Sequence, residues 1–175
     1  MKIKAVTVIG ANGTMGYNIS GIFAAFGKCK VYMICRKLED ANNARKNAML
    51  SVKGEAIEEN LIPQDYSSLK ECIEESDIIF ESIAENFELK LELNKKINEY
   101  TNDTQIICTS TSGLSIQKSA EAFSDEKRKN YLGVHFFNPP YSMVLCEVIP
   151  SKYTDKTVIE KIKTYAKNIL YRTTV

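Results

Sequence analysis

At 175 residues the chain has the length of a single domain. Its composition, 44% apolar and 26% charged, suits a globular soluble protein, and a net charge of +1 gives no reason to expect a nucleic-acid or membrane surface. The five cysteines, Cys29, Cys35, Cys72, Cys108 and Cys146, lack Cys-x-x-Cys spacing, which argues against a metal site or a disulfide framework. Cys35, Cys108 and Cys146 lie in apolar runs and read as small reduced core residues. Met1-Lys2-Ile3-Lys4 leads straight toward a strand, with no signal peptide and no apolar run long enough to span a bilayer, so a cytoplasmic protein is expected.

Ala5 to Ile9 is a short β-branched run that predicts a strand. Gly10-Ala11-Asn12-Gly13-Thr14-Met15-Gly16 follows, and then Ile19, Ile22, Phe23 and Phe26 recur at helical spacing. Strand, glycine turn and helix form the setting of a dinucleotide fingerprint. Glycines permit a tight turn and close approach to a pyrophosphate, which the N–H groups opening the helix then meet. Gly10, Gly13, Thr14, Met15 and Gly16 are therefore candidates for the phosphate cradle, although such turns also occur in proteins that bind no nucleotide.

Lys30 to Cys35 predicts the second strand. In an NAD-binding unit an acidic residue about 20 residues past the glycines holds the ribose 2′-OH. Here Cys35 is followed by Arg36 and Lys37. A carboxylate would repel a 2′-phosphate and a cation could hold one, so Cys35-Arg36 keeps NADP open beside NAD. Arg36 could equally do no more than stack on adenine. Leu38 to Ser51 reads as a helix, Gly54 to Pro63 as irregular chain, and Leu61 to Gln64 as a brief third strand. Ser67 to Glu75 reads as helical, with Ser67 or Ser68 as the N-cap.

Asp77 to Ser82 predicts the fourth strand, and a helix then runs to about Tyr100 with Leu89, Leu93 and Ile97 on one face. Glu85 leaves the strand at the edge where open α/β sheets bind ligands. Lys90 has a plain alternative as part of a charged first helical turn. Gln105 to Thr109 predicts the fifth strand. Ser112, in the loop after it, is a candidate hydroxyl for a substrate oxygen or a cap for the helix of Ile116 to Phe123. Tyr131 to Val134 delivers the sole histidine, His135, and Asn138-Pro139-Pro140 breaks the strand. Met143 to Ile149 is apolar except for Glu147. A carboxylate in such a run is costly unless paired, and the obvious partner is His135, one of whose nitrogens it would orient. A packed histidine and an exposed strand glutamate are the plain alternative. Thr154 to Ile169 reads as an amphipathic helix with Val158, Ile162, Tyr165 and Ile169 on one face, and Tyr171 to Val175 as a final strand. The alternation predicts an α/β doubly wound, mostly parallel sheet with helices on both faces.

A resemblance runs from about Lys4 to the last residue, strong in three blocks and loose between them, and a few short stretches carry it. They are Gly13-Thr14-Met15-Gly16, the run from Glu81 to Lys90, Thr111-Ser112 with Leu114, and His135-Phe136-Phe137-Asn138-Pro139 followed by Cys146-Glu147-Val148-Ile149. Together they resemble the L-3-hydroxyacyl-CoA dehydrogenase family. The chain departs from the family pattern at Asn12, an extra residue in the glycine turn, at Cys35 in place of Asp, at Ser110 in place of Asn and at Gly113 in place of Ser.

The resemblance implies a Rossmann-type sheet of about eight strands with the last pair antiparallel. It implies NAD as cofactor, a 3-hydroxyacyl-CoA as substrate, His135 as general base oriented by Glu147, and Ser112 on the substrate oxygen. Glu85 and Lys90 would face the cofactor, and Arg45, Lys46 and Lys53 could meet the CoA phosphates if they are more than a solvated helix face. No metal is implied. Family members continue into a helical domain that completes the acyl pocket and the dimer interface. Residues 1–175 are then the NAD(P)-binding domain, inactive alone. A sister enzyme acting on a non-CoA hydroxy acid, a dinucleotide-sensing module without catalysis, and a partner-binding fragment with a dead site are the rival readings.

Overall fold

A computed structural model describes residues 2–175. Among the described residues eight strands form one sheet, in the order β3-β2-β1-β4-β5-β6-β7-β8. They are β1 (Ala5–Ile9), β2 (Lys30–Cys35), β3 (Leu61–Asp65), β4 (Ile78–Glu81), β5 (Ile106–Thr109), β6 (Tyr131–Phe136), β7 (Leu145–Pro150) and β8 (Thr173–Thr174). The helices are α1 (Thr14–Ala25), α2 (Leu38–Val52), α3 (Leu69–Glu74), α4 (Phe87–Tyr100), α5 (Ile116–Ala120) and α6 (Lys156–Asn168). The first six strands are parallel, β7 pairs antiparallel with β6, and β8 runs parallel to β7. The two final strands thus run against the other six, although they are parallel to each other.

β1 shows why the sheet is covered on both sides. All five of its residues are buried, and alternate side chains join different cores. Val6 and Val8 pack with α1, α2 and α6, while Ala5 and Ile9 pack with α3, α4 and α5. All five cysteines are buried and free. No helix of the described residues is long and apolar enough to cross a membrane.

Several local expectations are corrected. Ser68 does stand at the N-cap position of α3, but neither it nor Ser67 caps the helix through its side chain. Asp65 instead accepts the Ser67 N–H at 2.9 Å, ahead of a single 3-10 turn. Ser112 does not cap α5, because Ser115 accepts the Lys118 N–H. Leu89 and Ile169 are exposed, although periodicity assigns them to apolar faces. Leu89 faces the cleft beside Gly10 and Gly13, and Ile169 lies one residue past the end of α6.

The order of the strands sets the site. β1 lies between β2 and β4, so the chain winds one way from β1 and the other way from β4. A crevice opens where the connections diverge, outside the carboxyl ends of β1 and β4. The loops after β5 and β6 reach the same edge of the sheet.

Candidate active site

At the crevice the backbone leaves β1 through Gly10, at φ +83°. A Cβ there would stand 2.6 Å from the Ser82 carbonyl oxygen of the neighbouring loop, so glycine is required on both counts. The Gly10 and Ala11 N–H groups donate to Ile34 O at 2.9 and 3.2 Å. The Gly13 N–H returns to Gly10 O at 3.1 Å, which closes the turn and leaves Asn12 exposed on its outside.

Gly13 then takes the N-cap position of α1 with no side-chain cap, so the first-turn N–H groups are free to meet an anion. A Cβ on Gly16 would collide with Gly10 O, whereas one on Gly13 would meet nothing closer than 3.5 Å. Gly16 is therefore required for helix–turn packing, and no close contact requires glycine at Gly13. Thr14 is exposed at the helix start. Met15 is half-buried and packs against the core. Beside this turn is a cleft of about 670 Å³, lined among others by Gly10, Gly13, Cys35, Arg36 and Ser82.

A contrast follows between two glycine variants. Gly16→Ala is expected to lower the melting temperature by several degrees, because helix and turn backbones must part. Gly13→Ala is expected to melt near the parent and to bind dinucleotide more weakly. Thermal denaturation with cofactor titration checks both, and a Gly13→Ala variant that binds normally would remove Gly13 from the cradle.

Beyond the switch point the structure rearranges the acidic and basic residues of the second motif. Lys90 does not reach the cleft surface, being 2% exposed. Its Nζ donates to Glu81 Oε1 at 2.7 Å and to Ile83 O at 3.3 Å, and Glu85 Oε2 lies 3.7 Å away. Glu81, at 0% exposure, also accepts the Ile83 N–H at 2.7 Å and the Thr109 hydroxyl at 2.7 Å. Glu85 in turn clamps the loop after β5. It accepts the Thr111 hydroxyl and the N–H groups of Ser112 and Gly113, the latter two at 3.0 and 3.1 Å. Burial pushes the Glu85 carboxyl up, but these three donors and Lys90 outweigh it and hold the group below its ordinary range.

Sequence reading missed Glu81. The signal was present all the same: a carboxylate inside the apolar run Ile78-Ile79-Phe80, the same feature that singles out Glu147. Of the other basic candidates, Arg45 pairs with Glu58 at 3.7 Å, and Lys46 and Lys53 are exposed.

The sole histidine stands on β6 directly opposite Glu147 of β7, as register partners of the antiparallel pair. Residues so paired share a face of the sheet. His135 Nδ1 lies 2.9 Å from Glu147 Oε2, and the Phe137 ring packs edge-on at 5.0 Å between centroids. The imidazole is partly covered and the carboxylate more open, at 21% and 41% side-chain exposure. The pairing leaves Nε2 free. Ser112 and His135 lie at the same edge of the sheet, and no hydrogen bond joins them among the described residues.

Comparison with known proteins decides what this arrangement belongs to. The model of the 3-hydroxyacyl-CoA dehydrogenase NAD-binding domain matches residues 5–175. The chain belongs to the 3-hydroxyacyl-CoA dehydrogenase family. It is similar to a probable 3-hydroxyacyl-CoA dehydrogenase of Deinococcus radiodurans, 30% identical over 97% of this chain and 52% of the relative. It is also similar to the mitochondrial hydroxyacyl-coenzyme A dehydrogenase of Sus scrofa, 28% identical over 95% of this chain and 57% of the relative.

Among solved structures, an (S)-3-hydroxybutyryl-CoA dehydrogenase from Ralstonia eutropha superposes with a TM-score of 0.87 at 27% identity, over 99% of this chain and 62% of that one. The chain spans about half the length of these two curated relatives. It is thus a Rossmann-type, NAD-binding member of an oxidoreductase family, short relative to its homologues. The glycine turn fits a dinucleotide pyrophosphate. Gly10 and Gly16 leave no room for a Cβ, the capless start of α1 lies between them, and the cleft opens alongside.

Proposed function

We propose that this domain binds NAD and supplies the general base of a 3-hydroxyacyl-CoA dehydrogenase. The observation that carries the proposal is the cross-strand pair of His135 and Glu147, 2.9 Å apart at the ligand-binding edge of the sheet. NAD, when bound, supplies the hydride acceptor. Glu147 holds the Nδ1 side of the ring and turns Nε2 outward. Nε2 then takes the proton of the 3-hydroxyl, and the Glu147 carboxylate stabilises the imidazolium that results. The Ser112 hydroxyl donates to a ketone or accepts from an alcohol, which suits both directions of the reaction. Its loop is held by Glu85, which is itself backed by the buried Lys90. Gly10, Gly13 and Gly16 shape the pyrophosphate seat, with Thr14 and Met15 at the helix start. Arg36 flanks the adenosine end.

We further propose that residues 1–175 act as one NAD(P)-binding unit, with a further substrate-binding domain completing the acyl pocket and the dimer contact. The relatives' greater length supports this. The test supplies the intact protein with NAD and either (S)-3-hydroxybutyryl-CoA or free 3-hydroxybutyrate, and follows reduced nicotinamide. Oxidation of the thioester with little of the free acid is the expected result. Preference for the free acid would replace the substrate assignment, and tight dinucleotide binding without turnover of either would replace catalysis with sensing.

A further inference from the structure

The corner of the cleft beyond β2 carries a charge pattern that an NAD site does not need. Cys35 ends β2, where an NAD-binding unit places a carboxylate for the ribose diol. It is 1% exposed, and burial pushes its thiol up to about 11, so it brings no charge at neutral pH. Arg36 and Lys37 follow it on the cleft wall, and Lys96 enters from α4. None of these three cations forms an ion pair among the described residues.

Two carboxylates, Asp40 and Glu92, line the same cleft, so cations outnumber anions. Asp40 lies in the first turn of α2, where the helix N-terminus already offsets its charge. The excess is thus concentrated where the chain leaves β2. A nucleoside diol is uncharged and matches two adjacent free cations only through weak hydroxyl hydrogen bonds, whereas a phosphate dianion meets their charge, and a guanidinium can grip it with two parallel hydrogen bonds.

We propose that this corner is a subsite for the 2′-phosphate of a phosphorylated dinucleotide, held by Arg36 and Lys37, and that the domain binds NADP(H) at least as tightly as NAD(H). The proposal rests on the dinucleotide reading above and deepens it. Calorimetric titration of the protein with NADP⁺ and with NAD⁺ tests it. NADP⁺ is expected to bind as tightly as NAD⁺ or tighter. Arg36→Ala is expected to weaken NADP⁺ by at least about tenfold, the loss of one charge-assisted contact, and to change NAD⁺ far less. Cys35→Asp, which restores the missing carboxylate, is expected to turn the preference toward NAD⁺. Should that buried substitution fail to fold, the exposed Arg36→Ala carries the test. Clearly tighter binding of NAD⁺ by the parent, or equal weakening of both cofactors by Arg36→Ala, overturns the subsite and leaves the dinucleotide reading standing. Binding of neither cofactor overturns both.

Discussion

Replacing His135 with alanine is expected to lower the rate of 3-hydroxyacyl-CoA oxidation by about 10²- to 10⁴-fold, the usual worth of a positioned general base. Dinucleotide affinity should be essentially unchanged, because the imidazole stands on β6 and the phosphate seat lies across the sheet after β1. The split between lost turnover and retained binding separates a lost base from a damaged fold. His135 is only partly covered, so its removal leaves a modest gap beside Phe137. Steady-state kinetics on the intact protein, with NAD titration of the same preparation, makes the comparison. Turnover near that of the parent would refute the assignment. Glu147→Gln should cost less, because a hydrogen-bonding group still faces Nδ1 while the charge that favours imidazolium is gone.

Lys90→Met should produce the largest loss of stability. Glu81 is completely buried, and Lys90 is its only cationic partner among the described residues. Breaking such a pair from one side leaves an unpaired charge in the core, which costs about 3–5 kcal/mol. In a domain of this size that corresponds to a fall in melting temperature of about 6–20 °C. Converting both members, Glu81→Leu with Lys90→Met, should recover much of the loss, since a buried pair and its apolar replacement are often close in energy. Thr109 would then lose its acceptor, so recovery is expected to be incomplete. Thermal denaturation of the single and double variants decides it. A Lys90→Met protein that melts within a degree or two of the parent would mean that the pair contributes little.

This pair also illustrates what sequence reading could and could not reach. From the motif, Glu85 and Lys90 share one role, facing the cofactor. In the fold they part company. Lys90 points inward to Glu81, nine residues earlier in the chain, and Glu85 grips a loop more than twenty-five residues later. The capping assignments fail for a related reason. Ser67, Ser68, Ser112 and Ser115 are all suitable caps by composition, and only the path of the backbone selects Asp65 and Ser115. By contrast, β1, β2 and the turn between β1 and α1 are legible residue by residue. Each is written by short-range rules, namely β-branched runs bounded by glycine and apolar residues at helical spacing.

By itself, then, the order of residues determined the alternating α/β pattern, the nucleotide turn, and the two polar residues in apolar runs that had to find partners. Those features depend on neighbours a few positions apart and on the cost of burying a charge alone. The residue order also pointed to His135 as the partner of Glu147, whereas tertiary structure alone supplied Lys90 to Glu81. Antiparallel register brings Glu147 opposite His135, packing draws Lys90 beneath the cleft, and the end of β2 is left with a buried thiol followed by two free cations. Contacts between residues distant in the chain depend on how strands and helices stack, and no local pattern encodes that.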